Sequence, residues 1–61
     1  MNYRKLFELL ERRGIKRSEL VFEGVISKGT LGRLVHNRPV SLRTLERLCR
    51  YLGCGIRDIA E

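Results

Sequence analysis

Sixty-one residues give one domain with no room for a second, and so small a chain needs efficient packing, a metal, disulfides or a partner to hold its fold. Thirteen Lys and Arg against seven Asp and Glu set the net charge at +6 and the pI at about 10.2, which points to polyanionic partners, nucleic acid ahead of acidic membrane. An apolar content of 43% argues against disorder, no apolar run approaches the ~18 residues of a membrane span, and "MNYRKLFELLERR" is charged where a secretory signal is apolar; a cytoplasmic protein is expected.

In chain order, Tyr3, Leu6, Phe7 and Leu10 recur at helical spacing with Leu9 beside them. They predict an amphipathic helix over 2–13 that Gly14 ends. A short second helix, 17–23, turns Leu20 and Val21 inward; Lys16 stands before it where a hydroxyl cap is usual. "EGVI" breaks the period at Gly24 and reads as a turn. Ser27 caps a third helix over 28–36, with Leu31, Leu34 and Val35 as its narrow inward stripe. "HNRPV" is a loop, since Asn37 suits a helix C-terminus and Pro39 forbids simple continuation. Ser41 caps a fourth helix over 42–52, where Leu42, Leu45, Leu48, Cys49 and Leu52 follow the helical period until Gly53. Gly55 begins a last short helix, 56–60, holding Ile56 and Ile59. No repeat, low-complexity tract or alternating strand pattern is present. The fold class is all-α, a compact five-helix bundle over 1–61.

The positive charge is concentrated. Between Gly24 and Arg50 lie Lys28, Arg33, Arg38, Arg43, Arg47 and Arg50 against Glu46 alone, so five of the six net charges fall in this window. Glu46 and Arg50 are spaced as an i, i+4 pair, worth ~0.3–0.5 kcal/mol when exposed. Cys49 and Cys54 are the only cysteines and His36 the only histidine. That set matches no common zinc spacing and no disulfide scaffold, so no metal or cofactor is expected. Both cysteines read as small packing residues in a reducing compartment. His36 has no evident partner for acid–base work and the bundle offers little enclosed space, so no catalytic residue is assigned and an enzyme is not expected. No small-molecule ligand is indicated.

The segment "IKRSELVFEGVISKGTLGRLVHNRPVSLRTLERLCRYLGCGIRDI" resembles a Cro/C1-type (phage-repressor, XRE-like) helix-turn-helix domain, and more narrowly its short bacterial and phage members. "SKGTLGRL" and "VSLRTLERLCRYLGCGIRDI" carry the likeness. The resemblance implies the lambda-repressor-like bundle, double-stranded DNA as partner, and a bacterial or phage transcriptional regulator with residues 28–35 in the major groove. Its pattern puts Lys28, Gly29, Gly32 and Arg33 where bases or adjacent phosphates are met. Thr30 falls on a position that packs or reaches the backbone. Arg33 is the leading candidate for base readout, because a guanidinium can bond both acceptors of a guanine. Arg17, Ser27, Asn37, Arg38 and Arg43 are the expected backbone clamps, while Arg47 and Arg50 are expected in solvent. Domains of this kind pair across half-sites about one helical turn apart; a homodimer here would use a bundle face near Ile56.

Three features depart from the family pattern. The turn between the second and third helices has Gly24 then Val25, where a small residue then glycine is usual. Val25 is poorly suited to a left-handed conformation, so the turn must shift by one residue or be built differently. Lys16 replaces the hydroxyl cap. Gly29 and Gly32 stand where longer side chains usually read bases. Two rival readings follow from the same residues. "SKGTLG" resembles the G-x-x-G clamp of KH domains, but that fold needs flanking strands, and the Walker phosphate loop needs a terminal Gly-Lys-Ser/Thr after a strand. The alternative to DNA binding is a protein-interaction module, an inhibitor or assembly factor that keeps the fold.

Overall fold

A computed structural model describes residues 1–61. It contains no strand: the order is α1 (Arg4–Arg12), α2 (Arg17–Phe22), α3 (Lys28–Val35), α4 (Leu42–Leu52) and a 3₁₀ turn (Ile56–Asp58). The chain is therefore all-α, with four helices and a closing turn instead of five helices.

One core serves all of them. Tyr3, Leu6, Leu9 and Leu10 enter it from α1 and its approach, Leu20 from α2, Val25 and Ile26 from the turn that follows, and Leu34 from α3. Leu45, Leu48, Cys49 and Leu52 enter from α4, with Ile59 and Ala60 closing the end. Phe7, Ile15, Val21, Leu31, Val40 and Cys54 pack half-buried around this set. Three expected core residues are outside. Leu42, on the first turn of α4, is 61% exposed; Val35 is 40% and Ile56 38% exposed. At ~100° per residue Val35 points about 100° away from Leu34, which puts it at the rim of the face that Leu34 anchors.

Each α-helix ends by the same device. A residue with positive φ (Gly14, Gly24, Asn37, Gly53) follows the helix. The next N–H then turns back to a carbonyl five residues earlier: Ile15 to Leu10, Val25 to Leu20, Arg38 to Arg33 and Cys54 to Cys49, at 2.8–3.0 Å. This satisfies carbonyls that a helix end otherwise leaves unpaired. It also resolves the Gly24–Val25 departure. Gly24 takes the left-handed conformation at φ 75°, one residue early, and Val25 drops buried into the core.

The last segment is not the helix expected over 56–60. Asp58 Oδ2 accepts the Gly55 N–H at 2.9 Å and tightens the chain into a 3₁₀ turn. Glu61 then bonds Asn2 through both main-chain groups, at 2.8 and 3.0 Å, which draws the backbone out of helical register. Arg13 donates to the Leu52 carbonyl, and Lys5 donates to the Arg57 carbonyl at 3.0 Å, so α1 is tied to both α4 and the closing turn. The Tyr3 hydroxyl is buried without a partner. The expected Glu46–Arg50 pair does not form, and both ion pairs of the chain belong to exposed Arg4, with Glu8 and Glu61. At that exposure they contribute little. No helix is long and apolar enough to cross a membrane.

Candidate nucleic-acid interface

The outer face of α3 follows from its period. Taking ~100° per residue, Lys28, Gly32, Gly29 and Arg33 fall within an arc of about 140°, opposite Leu34. Lys28, Gly29 and Arg33 are exposed and Gly32 is half-buried. Neither cation has an ion-pair partner in the chain. The helix starts at Ser27, whose Oγ accepts the Thr30 N–H at 3.1 Å. The Ser27 hydroxyl also donates to Thr30 Oγ1 at 3.0 Å. Ser27 has thus spent its hydroxyl proton inside the cap, while Thr30 keeps its own proton for an outside acceptor.

The fold requires neither glycine of this face. Neither has a positive φ. A Cβ on Gly32 would meet nothing within 4 Å, and one on Gly29 would lie 3.9 Å from Ser27 Oγ, an ordinary contact. Each costs α3 ~1 kcal/mol of helix propensity relative to Ala, with no return in packing. The result is a strip of bare main chain between Lys28 and Arg33.

The residues expected to grip a backbone surround this strip in different states. Arg17 opens α2, and its guanidinium lies over the Phe7 ring, 4.2 Å from the centroid. That stack holds a flexible cation in one place. Nothing in the sequence marked Phe7 for the role, because the two residues lie on different helices and Phe7 reads as part of the α1 stripe. Lys16 makes no cap hydrogen bond to α2. Asn37 takes the left-handed conformation at φ 55°. Its Oδ1 accepts the Tyr3 N–H at 3.0 Å, across 34 residues of chain. A main-chain N–H needs an acceptor, so this bond also sets which way the carboxamide faces and leaves its NH₂ as the free end. Arg38 and Arg43 are exposed and make no ion pair within the chain.

On α4, Tyr51 is 42% exposed. Its partial burial, then Glu19 of α2 and Glu23 just after it, push the phenol above its ordinary range. Phe22, on the last turn of α2, is 86% exposed, and it borders a shallow apolar groove with Val21 and Leu31. Sequence periodicity gave no sign of it. No group of three or more His, Cys, Asp or Glu side chains is placed to hold a metal ion.

Two short helices meeting at a glycine turn, the second presenting an unpaired basic face, define a helix-turn-helix domain. The sequence profile of the Cro/C1-type helix-turn-helix DNA-binding domain matches residues 5–61. The chain belongs to that family. Its fold is similar to the crystal structure of the transcriptional regulator VanUg, with a TM-score of 0.92 at 42% identity, over 98% of this chain and 80% of that one. No curated protein matches the chain.

Proposed function

We propose that this protein is a transcriptional regulator of bacterial or phage type that binds a specific double-stranded DNA sequence without catalysing a reaction. α3 enters the major groove, where Lys28 and Arg33 reach base edges and the bare main chain at Gly29 and Gly32 comes close to them. Arg33 reads guanine through its O6 and N7 acceptors, a contact that discriminates by ~1–3 kcal/mol. Arg17, braced on Phe7, holds phosphate together with Thr30, the Asn37 amide, Arg38 and Arg43, and these contacts position without reading sequence. Ser27 contributes by capping α3, since its hydroxyl proton is already committed.

One observation carries this reading: the fold needs no glycine at 29 or 32, yet both lie on a helix face that carries the unpaired cations Lys28 and Arg33 and gives the glycines no packing role. A surface that sacrifices helix propensity to stay flat and basic suits a closely approaching polyanion. The test is selection from a random duplex pool at several salt concentrations. An enriched motif that is lost with Arg33→Ala supports specific readout. Steep salt dependence without a motif supports backbone binding alone. A palindromic motif would further indicate two copies on one site.

A second reading, a protein-interaction module, rests on exposed Phe22 and the groove beside it. Absence of binding at low salt would overturn the DNA reading in its favour.

A further inference from the structure

The two cysteines take no part in the DNA reading, yet the end of α4 brings them together. Gly53, at φ 66°, lets the Cys54 N–H turn back to the Cys49 carbonyl at 3.0 Å. At a helix end of this type the side chains of those same two positions are frequently in contact. The pair is usually apolar; here both members are thiols. Cys49 is buried and Cys54 half-buried.

Cys54 also lines a cleft between α1, the end of α4 and the 3₁₀ turn. Lys5, Arg12, Arg13 and Arg57 surround it against Glu8 and Asp58, four cations to two carboxylates. Main-chain carbonyls hold two of those cations in place: Lys5 is bonded to Arg57 and Arg13 to Leu52. A half-buried thiol in a positive cleft, backed by a second thiol that solvent hardly reaches, has the attacking and resolving groups of thiol–disulfide exchange.

We propose that Cys49 and Cys54 form a thiol–disulfide exchange site that takes an anionic, low-molecular-weight disulfide in this cleft and closes to an intramolecular disulfide across the end of α4. In the first step the Cys54 thiolate attacks one sulfur of the incoming disulfide. A bond forms to Cys54, the original S–S bond breaks, and its electron pair leaves on the other half as a thiolate. In the second step the Cys49 thiolate attacks the Cys54 sulfur, forming the Cys49–Cys54 bond and expelling the remaining half. Two protein thiols are oxidised, one disulfide is reduced to two thiols, and the two protein protons pass to the released thiolates. Access sets the order, since only Cys54 faces the cleft. Burial, and then Cys54, Asp58 and Glu46, push the Cys49 thiol up from its ordinary value. Closure therefore quickens as pH rises, because more of Cys49 is then thiolate.

The experiment incubates the reduced, folded chain with oxidised glutathione and follows intact mass and free thiols. The wild type is expected to lose two hydrogens and both thiols without keeping an adduct. Cys49→Ala should keep one glutathionyl group on Cys54, and Cys54→Ala should stay unmodified while folded. Cystamine, a cationic disulfide, should close the wild type about tenfold more slowly at low salt, with the gap narrowing as salt is added. A wild type that stays a dithiol, or one that stops at the glutathione adduct, overturns the proposal, whether or not the variants fold. Modification of Cys49 in Cys54→Ala overturns the order of attack, and equal rates with cystamine overturn the anionic preference. None of these readouts involves DNA, so they stand or fall apart from the DNA reading.

Discussion

α3 and α4 begin alike and are used in opposite ways. Each starts at a serine whose Oγ accepts the N–H of a threonine three residues on, at 3.1 Å in α3 and 3.2 Å in α4. In each the two hydroxyls also bond, at 3.0 and 2.9 Å. Each ends at a left-handed residue, Asn37 or Gly53. Between those matching ends α4 buries Leu45, Leu48, Cys49 and Leu52, whereas α3 buries Leu34 alone. α4 is held by its face. α3 is held by its ends: the cap at Ser27, the buried Val25 and Ile26 before it, and the Asn37–Tyr3 bond after it. That arrangement frees most of the surface of α3 from packing, which is what a helix presented to a partner requires.

The sharpest break between the two helices should appear on truncating one residue in each. Leu48 is fully buried, so Leu48→Ala is expected to cost ~2–5 kcal/mol. Val35 is 40% exposed, and Val35→Ala should cost under ~1 kcal/mol. Denaturant titration of both variants decides the matter. Equal losses would mean that α3 is held by its face after all.

The shared caps give a smaller effect and a finer comparison. Ser27→Ala and Ser41→Ala should each lower stability by ~1 kcal/mol, the usual cost of losing a serine cap. The consequences should differ locally. α4 has four buried anchors to keep its first turn in place, while α3 has one, so amide exchange near Thr30 should quicken in Ser27→Ala more than near Thr44 in Ser41→Ala. Similar exchange rates would show that the ends of α3 matter no more than those of α4.

Sequence alone makes α4 plain, because four buried positions over eleven residues define a helix axis and a facing direction. The same reasoning misplaces Val35, since an eight-residue helix with one fully buried anchor leaves the centre of its inner face loosely determined. The Gly24–Val25 turn shows the opposite case. Its pair of residues is out of family register, and the poor fit of Val25 to a left-handed conformation leaves two outcomes, a shift by one residue or a different turn; Gly24 at φ 75° decides for the shift. Ile56 illustrates a tertiary override: its spacing from Ile59 suits a helix, but the Asn2–Glu61 bonds and the Asp58 cap decide the segment. The cationic strip of Lys28 and Arg33 could be read from charge and period. The supports around it could not. Phe7 beneath Arg17 and Tyr3 beside Asn37 are matched across 10 and 34 positions of chain, and no local pattern reports such pairs.

The smallest stability change is also the one that separates scaffold from interface. Gly29→Ala and Gly32→Ala place methyl groups in open space on a helix with ordinary φ values. Each should therefore stabilise the fold by up to ~1 kcal/mol through helix propensity, which in so small a domain raises Tm by roughly 4–8 °C. If the main chain of α3 comes as close to DNA as proposed, the same methyls should weaken binding to the selected duplex by about tenfold or more, ~1.4 kcal/mol. The salt slope should stay unchanged, because no cation is removed. Opposite signs in one variant exclude unfolding as the cause of weaker binding. Variants that gain stability and bind as tightly as the wild type would show that the partner stands further off, on Lys28 and Arg33 alone. The identical substitution at a residue packed in α4 has no such reading, because every buried position there affects stability and function with the same sign.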